Sequence, residues 1–218
     1  MNVAVIVAHP DDETLWAGGT LLSHPLWQTC IVGLCRGKDE ERKEKFIKAL
    51  KLYNANGVLG DLDDGPEQNP IPENEIDDTI LELLPDKHYD LVITHSIQGE
   101  YTRHLRHEEV GRAVIRLWSG GRITTNELWA FAYEDDHKAH YPLPRHLAPV
   151  QMILSTEIWL RKYNIITAIY GFSKNSFEEQ TTPRTEAFWR FTNPPDIENQ
   201  NKSENNEYKL LKKSDYSK

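Results

Sequence analysis

A β-branched run that ends in a cluster of acids, an alternation of strand and helix signals behind it, and a length suited to one large domain predict an α/β fold. The expected architecture is a single Rossmann-like domain on a doubly wound, mostly parallel sheet. Val3 to Val7 has the composition of a strand buried on both faces. It stops at His9-Pro10-Asp11-Asp12-Glu13, where Pro10 has no amide hydrogen to continue a ladder. Thr14 to Ser23 fits a helix through Leu15, Trp16, Leu21 and Leu22, weakened by Gly18-Gly19. Thr29 to Cys35 reads as a second strand. Lys38 to Tyr53 is charged and carries Phe46, Ile47, Leu50 and Tyr53 on one face, hence a helix.

Gly57 to Gly60 is a short strand, and Asp61 to Pro72 is a loop rich in Asp, Gly and Pro. Glu73 to Leu84 is a helix that stops before Pro85. Leu91 to Thr94 is a strand that ends in a polar cluster, His95 to His107, and Glu108 to Trp118 is helical. Leu128 to Tyr133 is a strand. Ser155 to Ala168 is a helix with Ser155 as N-cap and Glu157 in its first turn. We place the domain at residues 1–192. Residues 193–218 are rich in Asn, Glu, Lys and Ser and poor in apolar residues, which predicts a disordered tail. The chain has no internal repeat.

Composition excludes several classes. A net charge of −9 argues against a protein that tracks nucleic-acid phosphates and against electrostatic docking on anionic membranes. The apolar runs are too short to span a bilayer, and the first strand starts with no signal-peptide segment before it. Cys30 and Cys35 share one apolar stretch and read as reduced core thiols, so a cytoplasmic protein is expected. No Gly-x-Gly-x-x-Gly follows the first strand, which argues against a dinucleotide cofactor.

The chemistry lies in two clusters that follow two different strands. One is His9-Pro10-Asp11-Asp12. The other is His104-Leu105-Arg106-His107. In such sheets the carboxyl ends of strands face the ligand crevice. Imidazole nitrogens and carboxylate oxygens are zinc donors, and a catalytic site keeps three of them with one open position. A further carboxylate beside such a site serves as general base.

Ala8 to Glu13, followed by a His-x-x-His, resembles the signature of the PIG-L/LmbE-type zinc de-N-acetylases. The likeness extends over about residues 2–192. It takes in the strand before the motif, Gly18-Gly19, the helix near Arg42, the Glu157 to Lys162 helix and Glu186-Ala187-Phe188. The resemblance implies one Zn2+ per chain, held by His9, Asp12 and His107. It makes Asp11 the general base on the attacking water. His104 becomes the group that stabilises the oxyanion and protonates the leaving amine. Arg42 and Asp63 become sugar-conjugate contacts, with Asp61 and Asp64 as neighbouring alternatives to Asp63. The family's second motif is commonly His-Pro-Asp-His with Tyr two residues before it. Here Tyr101 stands three residues before His104, with Arg103 extra, and is carried over as a substrate contact.

Arg103 and Arg106 add positive charge beside the site. They read either as receptors for an anionic group or as neutralisers of Glu100, Glu108 and Glu109 on a solvated surface, the second being favoured. His24, His88 and His95 have no partner spacing. The expected function is hydrolysis of an N-acetyl group from a small amino-sugar conjugate, with no nucleic-acid partner and no membrane span; a homo-oligomer is compatible with it. A metal-dependent phosphoesterase and a non-catalytic sugar- or nucleotide-binding module are the alternatives.

Overall fold

The computed structural model describes residues 1–197. β1 (Asn2–Val7), β2 (Gln28–Cys35), β3 (Asn56–Leu62), β4 (Tyr89–Thr94) and β5 (Thr125–Phe131) alternate with α1 (Asp12–Ser23), α2 (Glu40–Tyr53), α3 (Glu73–Leu83) and α4 (Leu105–Ser119). The chain continues through β6 (Tyr133–Glu134), β7 (Leu143–Pro144), β8 (Val150–Ile153), α5 (Thr156–Asn164), α6 (Phe177–Thr181) and β9 (Thr185–Phe191). The main sheet has seven strands in the order β3-β2-β1-β4-β5-β9-β8, and β6 and β7 form a separate hairpin.

The first five strands are parallel, with Val3 opposite Thr29 on one side and Leu91 on the other. The strand order reverses between β1 and β4, which makes their carboxyl ends the expected crevice. Side chains alternate across β1 as a strand's must. Val3, Val5 and Val7 pack with Leu15, Phe46 and Leu50 of α1 and α2 and with Ile165 and Ile166 after α5. Ala4, Ile6 and Ala8 pack on the other face with Ile76 and Ile80 of α3 and Val110 and Val114 of α4. The fold is therefore the expected single doubly wound domain, helices on both faces.

The structure departs from the sequence reading at several elements. β8 and β9 extend the sheet in antiparallel sense and carry no alternation that the sequence shows plainly. In β9 the apolar run is broken by Glu186, which is fully buried. Its carboxylate accepts from the amides of Gly19 and Thr20, from the Thr20 hydroxyl and from Lys162 Nζ at 2.6–2.7 Å. A strand can hold that acid only because α1 and α5 bring those donors to it. The expected Ser155 to Ala168 helix is α-helical over Thr156–Asn164, with Ser155 capping it, and continues as a π-helical turn over Ile165–Ile169. α4 begins at Leu105 rather than Glu108, which puts His107 inside a helix. Trp129, Trp159 and Trp189 are half-buried.

Cys30 and Cys35 are free, buried thiols. No helix among the described residues is long and apolar enough to cross a membrane. The chain remains packed through Ile197, which joins the α3/α4 core; the rest of the expected tail lies outside the described residues.

The Lys162–Glu186 pair makes a stability prediction. Lys162→Met leaves a buried carboxylate without its cation, a loss of about 3–5 kcal/mol and roughly 6–20 °C in melting temperature. Adding Glu186→Gln should recover part of that loss in thermal unfolding. A single variant that melts like the parent would show that the amides alone suffice.

Candidate active site

The cluster after β1 and the cluster after β4 meet across the switch point. Asp11 caps α1, and Asp12 is the first residue of that helix. Asp11 holds a φ of 139°, which L side chains rarely adopt. Glu13 fixes it there: its carboxylate accepts from the Asp11 amide at 3.0 Å and from the Tyr170 hydroxyl at 2.7 Å. Asp12 faces the imidazoles. One oxygen lies 3.0 Å from His9 Nδ1, the other 3.4 Å from His107 Nε2.

His104 is the N-cap residue of α4 and His107 sits in its first turn, so the two rings stack, 4.3 Å between centroids. His9 meets His104 edge-on at 4.8 Å. These side chains line one cavity of about 210 Å³, with Arg36, Arg42, Asp64, Trp16, Tyr101, Phe177 and Glu178 on its walls and rim. Among the described residues, two trios of donor atoms come within 4.8 Å of one another: His9, His104 and His107, and Asp12, His95 and His107. The expected set of His9, Asp12 and His107 draws on both. Its nitrogen and oxygen donors suit zinc.

The remaining expected residues fall into place unevenly. Arg42 reaches Asp11 at 2.9 Å and lies over the Phe172 ring. Tyr101 stands edge-on to His107 and packs on Phe177. Of the acids in the loop after β3, Asp64 enters the cavity, 3.0 Å from His9 Nε2 and 2.6 Å from Arg36. Asp63 does not line it and Asp61 pairs with Lys38 outside.

Arg103 and Arg106 are neutralisers: Arg103 pairs with Glu108, and Arg106 with Glu109. Arg106, however, is fully buried and also donates to the Asn69 carbonyl, which ties the Asp64 loop to α4. Glu100 is not on a solvated surface. It is buried and accepts from His107 Nδ1 at 2.7 Å and His95 Nδ1 at 3.0 Å. His95, without a partner in sequence spacing, is fully buried at the end of β4 and is joined by Glu100 to the site. The nearest sequence signal for both is that β4, like β1, ends in a polar cluster.

Burial, with Asp12 beside it, pushes the Asp11 carboxyl well above the usual range. Burial and the neighbouring His107 and His9 lower the His104 ring to about 3, so it is neutral at physiological pH. This differs from the expected protonated donor. Burial would also lower His9, but Asp12 and Asp64 overcome it and raise it to about 9.

A metal takes an imidazole only in its neutral form. Zinc binding should therefore displace a proton from His9, and His107 is raised as well, so apparent affinity should fall at least about tenfold per pH unit below the raised His9 value. Calorimetric titration in buffers of different ionisation enthalpy measures that proton. Binding at neutral pH with no proton released would contradict it.

Fold and site together define an α/β protein with a histidine–carboxylate centre at the switch point of a parallel sheet. A family model described as PIG-L, GlcNAc-PI de-N-acetylase, matches residues 4–118, just over half of the chain, and the chain belongs to that family. An uncharacterised protein of Acanthamoeba polyphaga mimivirus is 24% identical over 146 residues, which cover 61% of this chain and 62% of that protein. The match thus spans under two thirds of that relative.

Among solved structures, N,N'-diacetylchitobiose deacetylase from Pyrococcus horikoshii aligns with a TM-score of 0.66 at 14% identity, covering 88% of this chain and 84% of that one. The zinc-inhibited form of a teicoplanin deacetylase gives 0.61 at 13% identity, covering 87% and 97%. A 4-carboxy-2-hydroxymuconate hydratase from Pseudomonas putida gives 0.61 at 16% identity, covering 87% and 96%. Such identities show the shared fold, and the hydratase among them shows that the fold alone does not choose the reaction.

Proposed function

We propose that the chain is a zinc-dependent de-N-acetylase that hydrolyses the N-acetyl group of an N-acetylglucosamine-type conjugate, with residues 1–192 as the catalytic unit. The observation that carries this reading is the division of labour between two adjacent buried acids. Asp12 is shared among imidazoles, while Asp11, held at a strained φ, lines the cavity with Arg42 as its side-chain partner. A binding module gains nothing from the second acid.

His9, Asp12 and His107 would hold the metal. Bound zinc supplies a Lewis acid for the acetyl carbonyl and lowers the pKa of a coordinated water. Asp11 takes the proton from the attacking water, and its raised pKa brings its basicity toward neutral pH. His104, which lines the same cavity and is neutral, would offer a ring N–H to charge on the carbonyl oxygen. With His104 neutral, the proton delivered to the departing nitrogen is the one Asp11 removed from water. Arg42 and Tyr101, which line the cavity, would touch the sugar, and the loop acid for its hydroxyls would be Asp64, which lines the cavity, in place of Asp63, which does not. The free, buried cysteines suit a cytoplasmic enzyme.

The test is acetate release by zinc-loaded protein from a panel of N-acetylglucosaminides that differ in the aglycone. Zinc-dependent release from at least one, abolished by chelation and restored by zinc, is expected. Full zinc loading with no acetate from any would sink the reading, and hydration of an unsaturated dicarboxylic acid would be the next assay.

A further inference from the structure

His107 has two ring nitrogens with separate surroundings. Nε2 looks toward Asp12, and Nδ1 points away from the cavity to Glu100 Oε2 at 2.7 Å. The same Glu100 oxygen accepts from His95 Nδ1 at 3.0 Å, and its other oxygen accepts from the Ser96 amide at 3.0 Å. His95 in turn accepts from the Ala8 amide through Nε2 at 3.0 Å. That amide belongs to the turn of β1 into the His9 cluster and can only donate, and it lies closer to Nε2 than the Asp12 oxygen at 3.5 Å, so the contact assigns Nε2 as the acceptor. The His95 proton is therefore on Nδ1, aimed at Glu100.

The result is a buried chain with one direction of donation. Ala8 N–H donates to His95, His95 donates to Glu100, and Glu100 takes a second hydrogen from His107. All four groups that meet the Glu100 and His95 acceptors are buried or half-buried, and Glu100 and His95 have almost no solvent contact. α4 is pressed against this chain: a Cβ on Gly111 would lie 2.6 Å from the His95 carbonyl oxygen, so only glycine lets the helix come this close.

We propose that Glu100, set in place by His95, is a positioning residue that keeps the His107 proton on Nδ1 and so leaves the Nε2 lone pair free for the metal. It rests on the metal reading given above but concerns residues that never touch substrate. Partners that orient a ligating imidazole commonly change metal affinity by about 10–100-fold when removed.

Glu100→Met keeps the length and removes every acceptor. Glu100→Gln keeps one oxygen for the two imidazoles and loses the acceptor of the Ser96 N–H, since its NH2 then faces that donor. Two readouts distinguish this from simple packing. The first is zinc affinity by competition with a chromophoric chelator. Met should weaken it about 10–100-fold, and Gln, which keeps the acceptor for His107, should recover part of that loss. The second is the proton location on His107, read by nitrogen NMR of the metal-free protein at a pH alkaline enough to remove any imidazolium. The parent and Glu100→Gln should show Nδ1–H, and Glu100→Met a mixture.

Equal losses of affinity in Met and Gln would make the effect one of packing and overturn the proposal. So would a parent protein whose His107 carries its proton on Nε2, a measurement that needs no variant to fold. A parent that binds no zinc yet shows Nδ1–H at His107 would refute the metal reading and leave the positioning role standing.

Discussion

His107→Ala should lose its zinc. The parent is expected to carry one ion per chain, and the variant close to none after dialysis. His107 Nε2 is one of three donors around Asp12, and the alanine takes away a nitrogen that nothing nearby replaces. His95 is the nearest other imidazole, stacked on His107 at 4.1 Å, but both its nitrogens are engaged, by Ala8 and by Glu100. His104 lies on the other side of the ring, in the trio with His9 and not in the one with Asp12. Elemental analysis of the two proteins decides the matter. A variant that retains full zinc would move the metal to the His9, His104 side of the cavity.

Asp11→Asn should have the opposite signature. The carboxylate is bonded to Arg42 and belongs to neither trio of donors, so zinc content should stay at the parent value. The amide cannot take a proton from water, so kcat should fall by about 10²–10⁴-fold. KM should change less, since Asp11 is assigned to the reacting water and the sugar to Arg42, Tyr101 and Asp64. The side chain's pKa, raised by burial and by Asp12, also predicts the acid limb of the kcat profile in the parent. Activity falls as pH drops through that raised value, because a protonated Asp11 is no base. In Asp11→Asn that limb should vanish from the residual rate. If the variant loses zinc together with its activity, Asp11 and Asp12 must exchange roles.

Arginines 103 and 106 illustrate how far a sequence reads. Their pairing with Glu108 and Glu109 follows from nearby charge, and for Arg106 also from three-residue helical spacing. That Arg106 is wholly buried, and ties the loop bearing Asp64 to the helix bearing His107, depends on a contact 37 residues away along the chain. The choice between Asp63 and Asp64 has the same character. Neighbours in a loop point to different sides, and only the packed loop shows which one meets His9.

The sequence by itself determined the parallel sheet and the chemistry at its edge. Alternating strands and helices, and an apolar strand cut off by His9-Pro10-Asp11-Asp12, are local signals that need no distant partner. The His104-x-x-His107 spacing is legible as a motif, but its place at the start of a helix is not, since the sequence predicts that helix from Glu108 and the structure begins it at Leu105. What only the tertiary structure decided is everything that depends on a buried polar group finding partners. Glu186 sits in a strand because Gly19, Thr20 and Lys162 reach it. Glu100 and His95 look like surface residues in sequence because their type is usually solvated. They become internal because β1, β4 and α4 converge and supply, from distant parts of the chain, the hydrogen bonds that water would otherwise have made.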